Sequence, residues 1–565
     1  MKRWTIQKHN YEQVKAFSEA MDVPPITAAL LIARGFDTEE KARKFLNPQF
    51  SDIHDPYLLK GMKEAVGRIL KAIDNKEKIL IWGDYDVDGT TGTTLLRKMI
   101  GILGGESGYY IPNRFTEGYG INIPALEKAK ADGYTLAISV DCGIRSFEPV
   151  EWANENGLDF IITDHHISDP VRGNPPAFAV VNPNQPGCEY PDKNLAGVGV
   201  AFKLAQAILR ERGHENEIED FLKITAIGTI ADIMQLTGEN RAIVTLGLRD
   251  LPKTKNLGLR ALMEVSDCRS EMTSMHIGFR IAPRINAAGR MDVAMQVVEL
   301  LEADDFNKAR RLAETLDTRN RERQDMQRRI TELAILETEN ITEQNFVVVA
   351  GENWHRGVIG LAASRIAERL YRPTIVLSIE DGHGHGSARS AGSYHLLNAL
   401  ETCPELFEQF GGHAAAAGMK MKVENIDKLR EALCAHAREH ITGDDLIPEV
   451  KIDAVIKPES LDLRLVEELS RFEPFGAGNP KPVFVTKDLY LIDEPYVMKE
   501  KHLKMYLSDN NGRRFEAVWW DGVDKLKGRT LEPKTRIELA YTAEANSWQG
   551  NTRLQLVVED IRTDN

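Results

Sequence analysis

The sequence predicts an α/β protein in three parts: a doubly wound, mainly parallel sheet, a second α/β unit joined to it by a long helix, and a small C-terminal β-barrel. Three observations carry this. Between Lys78 and Asn182 short apolar runs alternate with helical stretches, the pattern of a parallel sheet covered by helices on both faces. From Asp304 to Glu339 there is neither Gly nor Pro and charge is dense, which reads as one long exposed helix connecting two domains. From about residue 450 the texture changes to alternating strands and turns. At 565 residues the chain is too long for one core, and about three to four domains are expected.

Residues 1–55 read as a small helical leader, broken early at Pro24-Pro25. Residues 56–300 form the first α/β domain, with strands at 78–83, 134–140, 158–163 and 178–182 and mostly helix after 195. Residues 301–342 are the connecting helix. Between Lys308 and Arg329 it holds eight basic and four acidic residues, either a solvated face laced with i,i+4 pairs or a wall facing nucleic acid. Residues 343–445 repeat the α/β texture, with strands at 346–350 and 374–379, a helix at 357–370 and glycine-rich segments at 381–389 and 411–418. Residues 446–565, with turns at Gly476-Ala-Gly-Asn-Pro480 and Trp548-Gln-Gly-Asn551, suggest a Greek-key barrel of the oligonucleotide-binding (OB) type.

The five cysteines are scattered and form no Cys-x-x-Cys, which points to a reducing cytoplasm and away from zinc knuckles and disulfides. No apolar stretch is long enough to span a bilayer, and Met1–Ile6 lacks an apolar signal core, so no membrane role is expected. No heptad seam suggests an obligate oligomer, so a monomer is expected. A net charge of −14 argues against indiscriminate nucleic-acid binding but permits a local basic channel.

The chemistry lies at the strand ends. The run 78–83 leads into Asp84, Asp86 and Asp88; the run 136–140 leads into Asp141-Cys142-Gly143; the run 158–163 leads into Asp164-His165-His166. Ligand sites of open α/β sheets lie at the carboxyl edge, so one shared metal site is predicted. A helix cap would explain one of the first three acids, not all. A calcium loop would need Glu at its twelfth position, where Leu95 stands, so calcium is rejected. Asp232, the lone acid in the apolar segment 221–234, is either another ligand or a helix cap. Oxygen and imidazole donors without thiolate suit Mn²⁺ or Mg²⁺. Enough donors are present for two ions, which about 3.5–4 Å apart support in-line phosphoryl displacement. Arg114, Arg280, Arg284, Arg290 and the pair Ser387/Arg389 are candidate phosphate ligands; a hydroxyl and a guanidinium two apart on a strand face the same way.

These motifs resemble the DHH phosphoesterase superfamily, named for the triplet seen here as Asp164-His165-His166. Gly411-Gly412-His413 and the alanines after it resemble the signature of the DHH-associated (DHHA1) second domain. Their order, with the C-terminal barrel, is similar to the single-stranded-DNA-specific 5′→3′ exonucleases of that superfamily, which act in recombination and repair. The resemblance implies two Mn²⁺ (or Mg²⁺) held by Asp86, Asp88, Asp141, His165 and Asp232, with Asp141 as bridge. Asp84 and Asp164 are then ligands or supports, and His166 faces the scissile phosphate and assists proton transfer or stabilises charge. Ser387, Arg389 and Arg114 would hold the 5′ end, with Asn286, His355 and His413 in the same cleft. A narrow channel between the two α/β units would exclude duplex, and Trp519, Trp520, Phe515 and Tyr506 of the barrel are candidates to stack on bases. Implied partners are single-stranded DNA, a single-strand-binding protein and a RecQ-type helicase. Alternatives are an oligoribonuclease, a cyclic-dinucleotide phosphodiesterase or an inorganic pyrophosphatase of the same superfamily, or a non-catalytic nucleic-acid-binding scaffold.

Overall fold

The computed structural model describes residues 2–563 apart from 269–270, 292, 339–344, 527, 529 and 549. The expected hairpin position Gln549 and the last residues of the expected connector thus lie outside the described residues. The chain forms two compact units: one comprises Ile6–Asp317 with Ile452–Asn565, the other Thr318–Lys451 with the first residues of the chain. Among the described residues no single helix is long and apolar enough to cross a membrane.

The leader opens with strand β1 (Arg3–Ile6), which the sequence reading missed, followed by helices Tyr11–Met21, Pro25–Ala33 and Glu39–Leu46. Pro24-Pro25 ends one helix region and starts the next, with Pro25 in the first turn, where its missing N–H costs nothing.

The first sheet contains β2 (Lys78–Gly83), β3 (Glu106–Tyr110), β4 (Tyr134–Val140), β5 (Asp159–Thr163) and β6 (Ala179–Val181), in spatial order β3-β2-β4-β5-β6. Every pairing is parallel. Alternate residues serve opposite faces. Ile79, Ile81, Ile138 and Ile161 join one core with helices Met62–Asp74, Val87–Ile102 and Gly197–Glu211. Leu80, Trp82, Ala137, Phe160 and Ile162 join another with Ile123–Ala131 and Phe147–Glu155. The expected doubly wound sheet is present. Its one unexpected strand, β3, has the sequence Glu-Ser-Gly-Tyr-Tyr and pairs only with β2 at the sheet edge, so no apolar run marked it.

Helix Phe306–Thr338 is continuous, as expected, but not exposed throughout. Ala309, Ala313 and Leu316 bury one stripe in the first unit's core, and Ile330 and Ala334 bury another in the second unit. Its remaining surface carries one pair at the expected i,i+4 spacing, Arg310–Glu314, and two at i,i+3, Arg319–Glu322 and Arg328–Asp325.

The second unit contains β7 (Val347–Glu352), β8 (Thr374–Glu380), β9 (His383–Arg389), β10 (Phe407–Gly412) and β11 (Ala416–Lys422), in order β10-β11-β9-β8-β7. Only β7 and β8 are parallel. Helix Arg356–Leu370 packs in one core, and helices Leu396–Leu400 and Ile426–His440 in the other. Strand β12 (Glu449–Ile452) pairs with β1.

The C-terminal strands are β13 (Ala454–Val455), β14 (Phe484–Leu491), β15 (Tyr496–Met498), β16 (His502–Ser508), β17 (Arg514–Trp519), β18 (Arg536–Trp548) and β19 (Asn551–Thr563). Because β14 pairs with both β18 and β16, the sheet closes into a barrel. Of the four aromatics that were candidates to stack on bases, Phe515 and Trp519 point into its core and Tyr506 and Trp520 point out. Trp519 is the last residue of β17 and faces inward, whereas Trp520 stands in the turn that follows. The leader is not a separate layer: Leu30, Phe45 and Leu46 share this barrel's core with Phe472, Phe484 and Trp519.

Candidate metal centre

The register of the first sheet brings the motifs together. Gly83 pairs with Val140, and Val140 with Thr163. The residues that follow, Asp84, Asp141 and Asp164, therefore emerge side by side at the carboxyl edge.

Each acid then meets different surroundings. Asp86 is the N-cap of helix Val87–Ile102, and its Oδ1 accepts from the Gly89 N–H at 3.0 Å. Gly89 must lack a side chain, since a Cβ there would lie 2.5 Å from backbone atoms of Asp84. Asp88 is buried and accepts from the Gly197 and Val198 N–H groups (2.6 and 2.7 Å) at the start of helix Gly197–Glu211, where the helix dipole favours an anion. Asp141 is buried in the left-handed backbone region at φ 62°, which Asp tolerates better than most residues. Asp232 is the C-cap of helix Leu222–Ala231, and its carboxylate lies within reach of Asp88 and His165 in a set of donors that could hold a metal.

His165 stands at the middle. Its Nε2 lies 3.1 Å from Asp141 Oδ1, 3.6 Å from Asp232 Oδ2 and 3.9 Å from Asp88 Oδ2. Three sets of donors each lie within 4.8 Å: Asp141/His165/His166, Asp88/His165/Asp232 and Asp84/Asp86/Asp141. Burial, then the charge of His166, pushes His165 down to about 4, so it is neutral near pH 7. Its ring also hydrogen-bonds to the backbone of Leu195, an arrangement that orients metal-binding imidazoles.

The carboxyls are pushed the other way. Burial first and the Asp86 charge second raise Asp84 to about 8, against the pull of Arg114 and His166. The same two causes raise Asp232 to about 7. Burial, then the charges of neighbouring acids, raises Asp88 and Asp141 well above the carboxylate range. Asp84 Oδ1, Asp141 Oδ1 and His165 Nε2 are buried without a hydrogen-bond partner. Buried polar atoms are normally satisfied. A divalent cation would satisfy all three and relieve the carboxylate repulsion, so the residues fit a hard metal with mixed O/N ligands.

Asp164 differs. It accepts from the N–H groups of Ile144 (3.0 Å), His165 (2.7 Å) and His166 (3.0 Å) and is 2.8 Å from His166 Nδ1. Burial pushes it up, but the hydrogen bond and charge of His166, with the backbone donors, outweigh burial and hold it below its ordinary value. His166, half exposed, is lowered by burial but raised more strongly by Asp164.

The candidate phosphate ligands divide. Arg114 lies over the Tyr85 ring at 5.1 Å, and the charges of Arg114 and Arg290 both act on the loop 84–86. Asn286 accepts from the Val87 N–H at 3.3 Å and steadies that loop. Arg280 and Arg284 are engaged elsewhere. Arg280 donates to the Asp267 carbonyl at 2.9 Å, and Arg284 pairs with Asp317 at 2.8 Å. In the second unit, Arg389 donates to Ser387 Oγ at 2.9 Å, both on one face of β9. His355 caps helix Arg356–Leu370, accepting from the Gly357 N–H, and His413 is exposed in the turn between β10 and β11.

Sequence reasoning missed the supports. Asn182 and Asn184 donate to the carbonyls of His166 (2.9 Å) and His165 (2.6 Å), and Tyr119 donates to the Asp141 carbonyl at 3.0 Å. Asn182-Pro183-Asn184 follows a strand just as the acidic motifs do, which was a usable signal.

Three family models match: the DHH family N-terminal domain over residues 78–229, the DHHA1 domain over 343–439 and the RecJ OB domain over 452–560. The single-stranded-DNA-specific exonuclease RecJ of Bacillus subtilis is 41% identical over 564 residues, covering 99% of this chain and 70% of that protein. The protein of the same name from Haemophilus influenzae is 35% identical, covering 92% of this chain and 93% of that one. The crystal structure of RecJ in complex with Mn²⁺ from Thermus thermophilus matches with a TM-score of 0.85 at 29% identity, over 100% of this chain and 80% of that one. Its counterpart with Mg²⁺ matches with a TM-score of 0.79 at 27% identity, over 100% of this chain and 79% of that one. With the register-aligned acid and imidazole cluster at its first sheet's edge, this chain belongs to the RecJ family of single-stranded-DNA-specific exonucleases.

Proposed function

We propose that the chain is a hydrolase that degrades single-stranded DNA from the 5′ end at a two-ion centre of Mn²⁺ or Mg²⁺, in DNA recombination and repair. The observation that carries this is the trio of buried, partnerless donor atoms on Asp84, Asp141 and His165. Asp84, Asp86, Asp88, Asp141, His165 and Asp232 would hold the metal, and Asp141, which like His165 belongs to two of the donor sets, would serve both ions. When bound, such a pair of ions activates water and stabilises the leaving oxygen of an in-line displacement. The water oxygen gives up one proton as it bonds to phosphorus, one P–O ester bond breaks, and the leaving oxygen takes up one proton. His166, its Nδ1 held by Asp164, presents its other nitrogen to the phosphate and stabilises charge or passes that proton. Arg114 and Arg290 hold substrate phosphates beside Tyr85.

Ser387 and Arg389 are a hydroxyl–guanidinium pair suited to a terminal phosphate, and a pocket for a phosphomonoester gives 5′ polarity. His355 and His413 contribute to holding the strand. Arg280 and Arg284 are left with structural roles by their partners. A single-strand-binding protein and a RecQ-type helicase would present such strands, a reading supported by family membership alone.

With strands labelled at either end and Mn²⁺ present, label should leave the 5′ end of single strands only, and Asp141→Ala should abolish release. Release from the 3′ end, or equal attack on duplex, sinks the assignment.

A further inference from the structure

The segment after Asp232 is unusual. Ile233 donates to the Ile230 carbonyl (3.1 Å) and Met234 to the Thr229 carbonyl (3.2 Å), the two bonds of a Schellman helix end. That motif places Ile233 at φ 58°, where Gly is the usual residue and a β-branched one is rare. Ile233 is 76% exposed, so packing of its own side chain does not enforce the conformation.

The C-terminal domain does reach this turn. The loop 472–480 lies against it, and the Leu236 N–H donates to the Ala477 carbonyl at 2.8 Å. The fit is tight. A Cβ on Gly476 would lie 2.7 Å from Leu236 Cδ1, and one on Gly478 would lie 3.2 Å from Gln235 Cβ. The loop is itself rigid: Asn479 is fully buried and donates to the carbonyls of Phe472 (2.7 Å) and Pro474 (2.9 Å). Arg241, in helix Gly238–Asp250 just beyond the turn, is buried and donates to the carbonyls of Phe472 (3.0 Å) and Glu473 (2.8 Å), and to Phe45 of the leader (2.7 Å). A guanidinium spent on backbone carbonyls fixes the two segments to each other.

We infer that the loop 472–480 positions Asp232 in the metal centre, so that the C-terminal domain contributes to metal affinity and turnover and not only to strand affinity. Gly476, Asn479 and Arg241 are positioning residues in this scheme, which rests on the reading of the acid cluster as the metal site. If the domain served only to bind the strand, disturbing this loop would raise KM alone.

The test is Gly476→Val in the full chain, with Leu236→Ala as its compensating partner. Position 476 is not among the left-handed glycines, so Val is tolerated by the backbone. Val adds three side-chain carbons where Leu236→Ala removes three. The single variant should weaken Mn²⁺ binding about tenfold by calorimetry, the lower end for disturbed supports of a metal ligand. It should lower kcat at saturating single-stranded DNA by a similar factor, with KM for the strand within about twofold of wild type. Adding Leu236→Ala should restore both; if Gly476→Val proves misfolded by circular dichroism, the milder Gly476→Ala, whose Cβ alone would lie 2.7 Å from Leu236 Cδ1, takes its place with the same expected direction. Unchanged Mn²⁺ affinity and kcat in folded Gly476→Val, or a rise in KM alone, overturns the inference. Failure of the wild-type chain to bind Mn²⁺ would instead overturn the reading of the metal centre itself.

Discussion

Asp141 and Asp164 occupy equivalent places at the ends of adjacent strands and meet opposite surroundings. Asp164 is saturated with donors, whereas Asp141 Oδ1 has none. That contrast favours Asp141 as a ligand and Asp164 as the group that orients His166. Asp164→Asn keeps one acceptor but loses the charge that holds the imidazole proton. It should lower kcat on single-stranded DNA about 10²-fold, the scale of a lost general acid–base contribution. Mn²⁺ affinity by calorimetry should hold; its collapse would make Asp164 a ligand. The sequence showed which residue types reach the sheet edge, because a strand end is a local feature. It could not separate ligand from support, because the discriminating donors are remote. The N–H groups that grip Asp88 come from Gly197 and Val198, over a hundred residues along the chain.

At the scale of elements, long apolar or charged runs were legible and short irregular pieces were not. Strands β2, β4 and β5 stand out as short unbroken apolar runs, and helix Phe306–Thr338 as a long charged stretch without Gly or Pro. Strand β3 escaped because Gly108 and an edge position leave little alternation to read. The helix end at Asp232 was legible only as one of two readings of that acid, because it lacks the Gly that usually marks such a stop. Supplying it gives a direct check on the strain. Ile233→Gly should raise stability by about 1 kcal/mol, the cost of a left-handed non-Gly residue. A higher thermal midpoint at unchanged Mn²⁺ affinity is the expected result. A lower midpoint would mean that the exposed Ile233 side chain contributes packing outside the helix end.

At the scale of the molecule, the leader and the C-terminal barrel form one core although they lie at opposite ends of the sequence. Phe45 stacks on Phe36 at 4.1 Å, meets Phe472 edge-on at 5.6 Å and carries the Arg241 guanidinium at 3.7 Å. No local pattern announces a contact between segments more than four hundred residues apart. The barrel's outer face is the complementary case, readable only once register is known. Tyr496 pairs with Lys504 and Tyr506 with Glu516, and Trp520 follows Trp519, which pairs with Leu503. Tyr496 and Tyr506 on adjacent strands and Trp520 in the turn just after β17 therefore stand outward, 66%, 43% and 50% exposed, with Lys504 5.4 Å above the Tyr506 ring. Exposed aromatics beside a cation suit stacked bases and a phosphate backbone. Trp520→Ala and Tyr506→Ala should each weaken binding of a single-stranded oligonucleotide by about 1–3 kcal/mol, the worth of one stacked base. In polarisation titrations the loss should persist across base composition, since stacking is tolerant of sequence. Trp519→Ala should instead lower the melting temperature, because Trp519 fills the core. If Trp520→Ala leaves oligonucleotide affinity intact, this face is not the one that meets the strand.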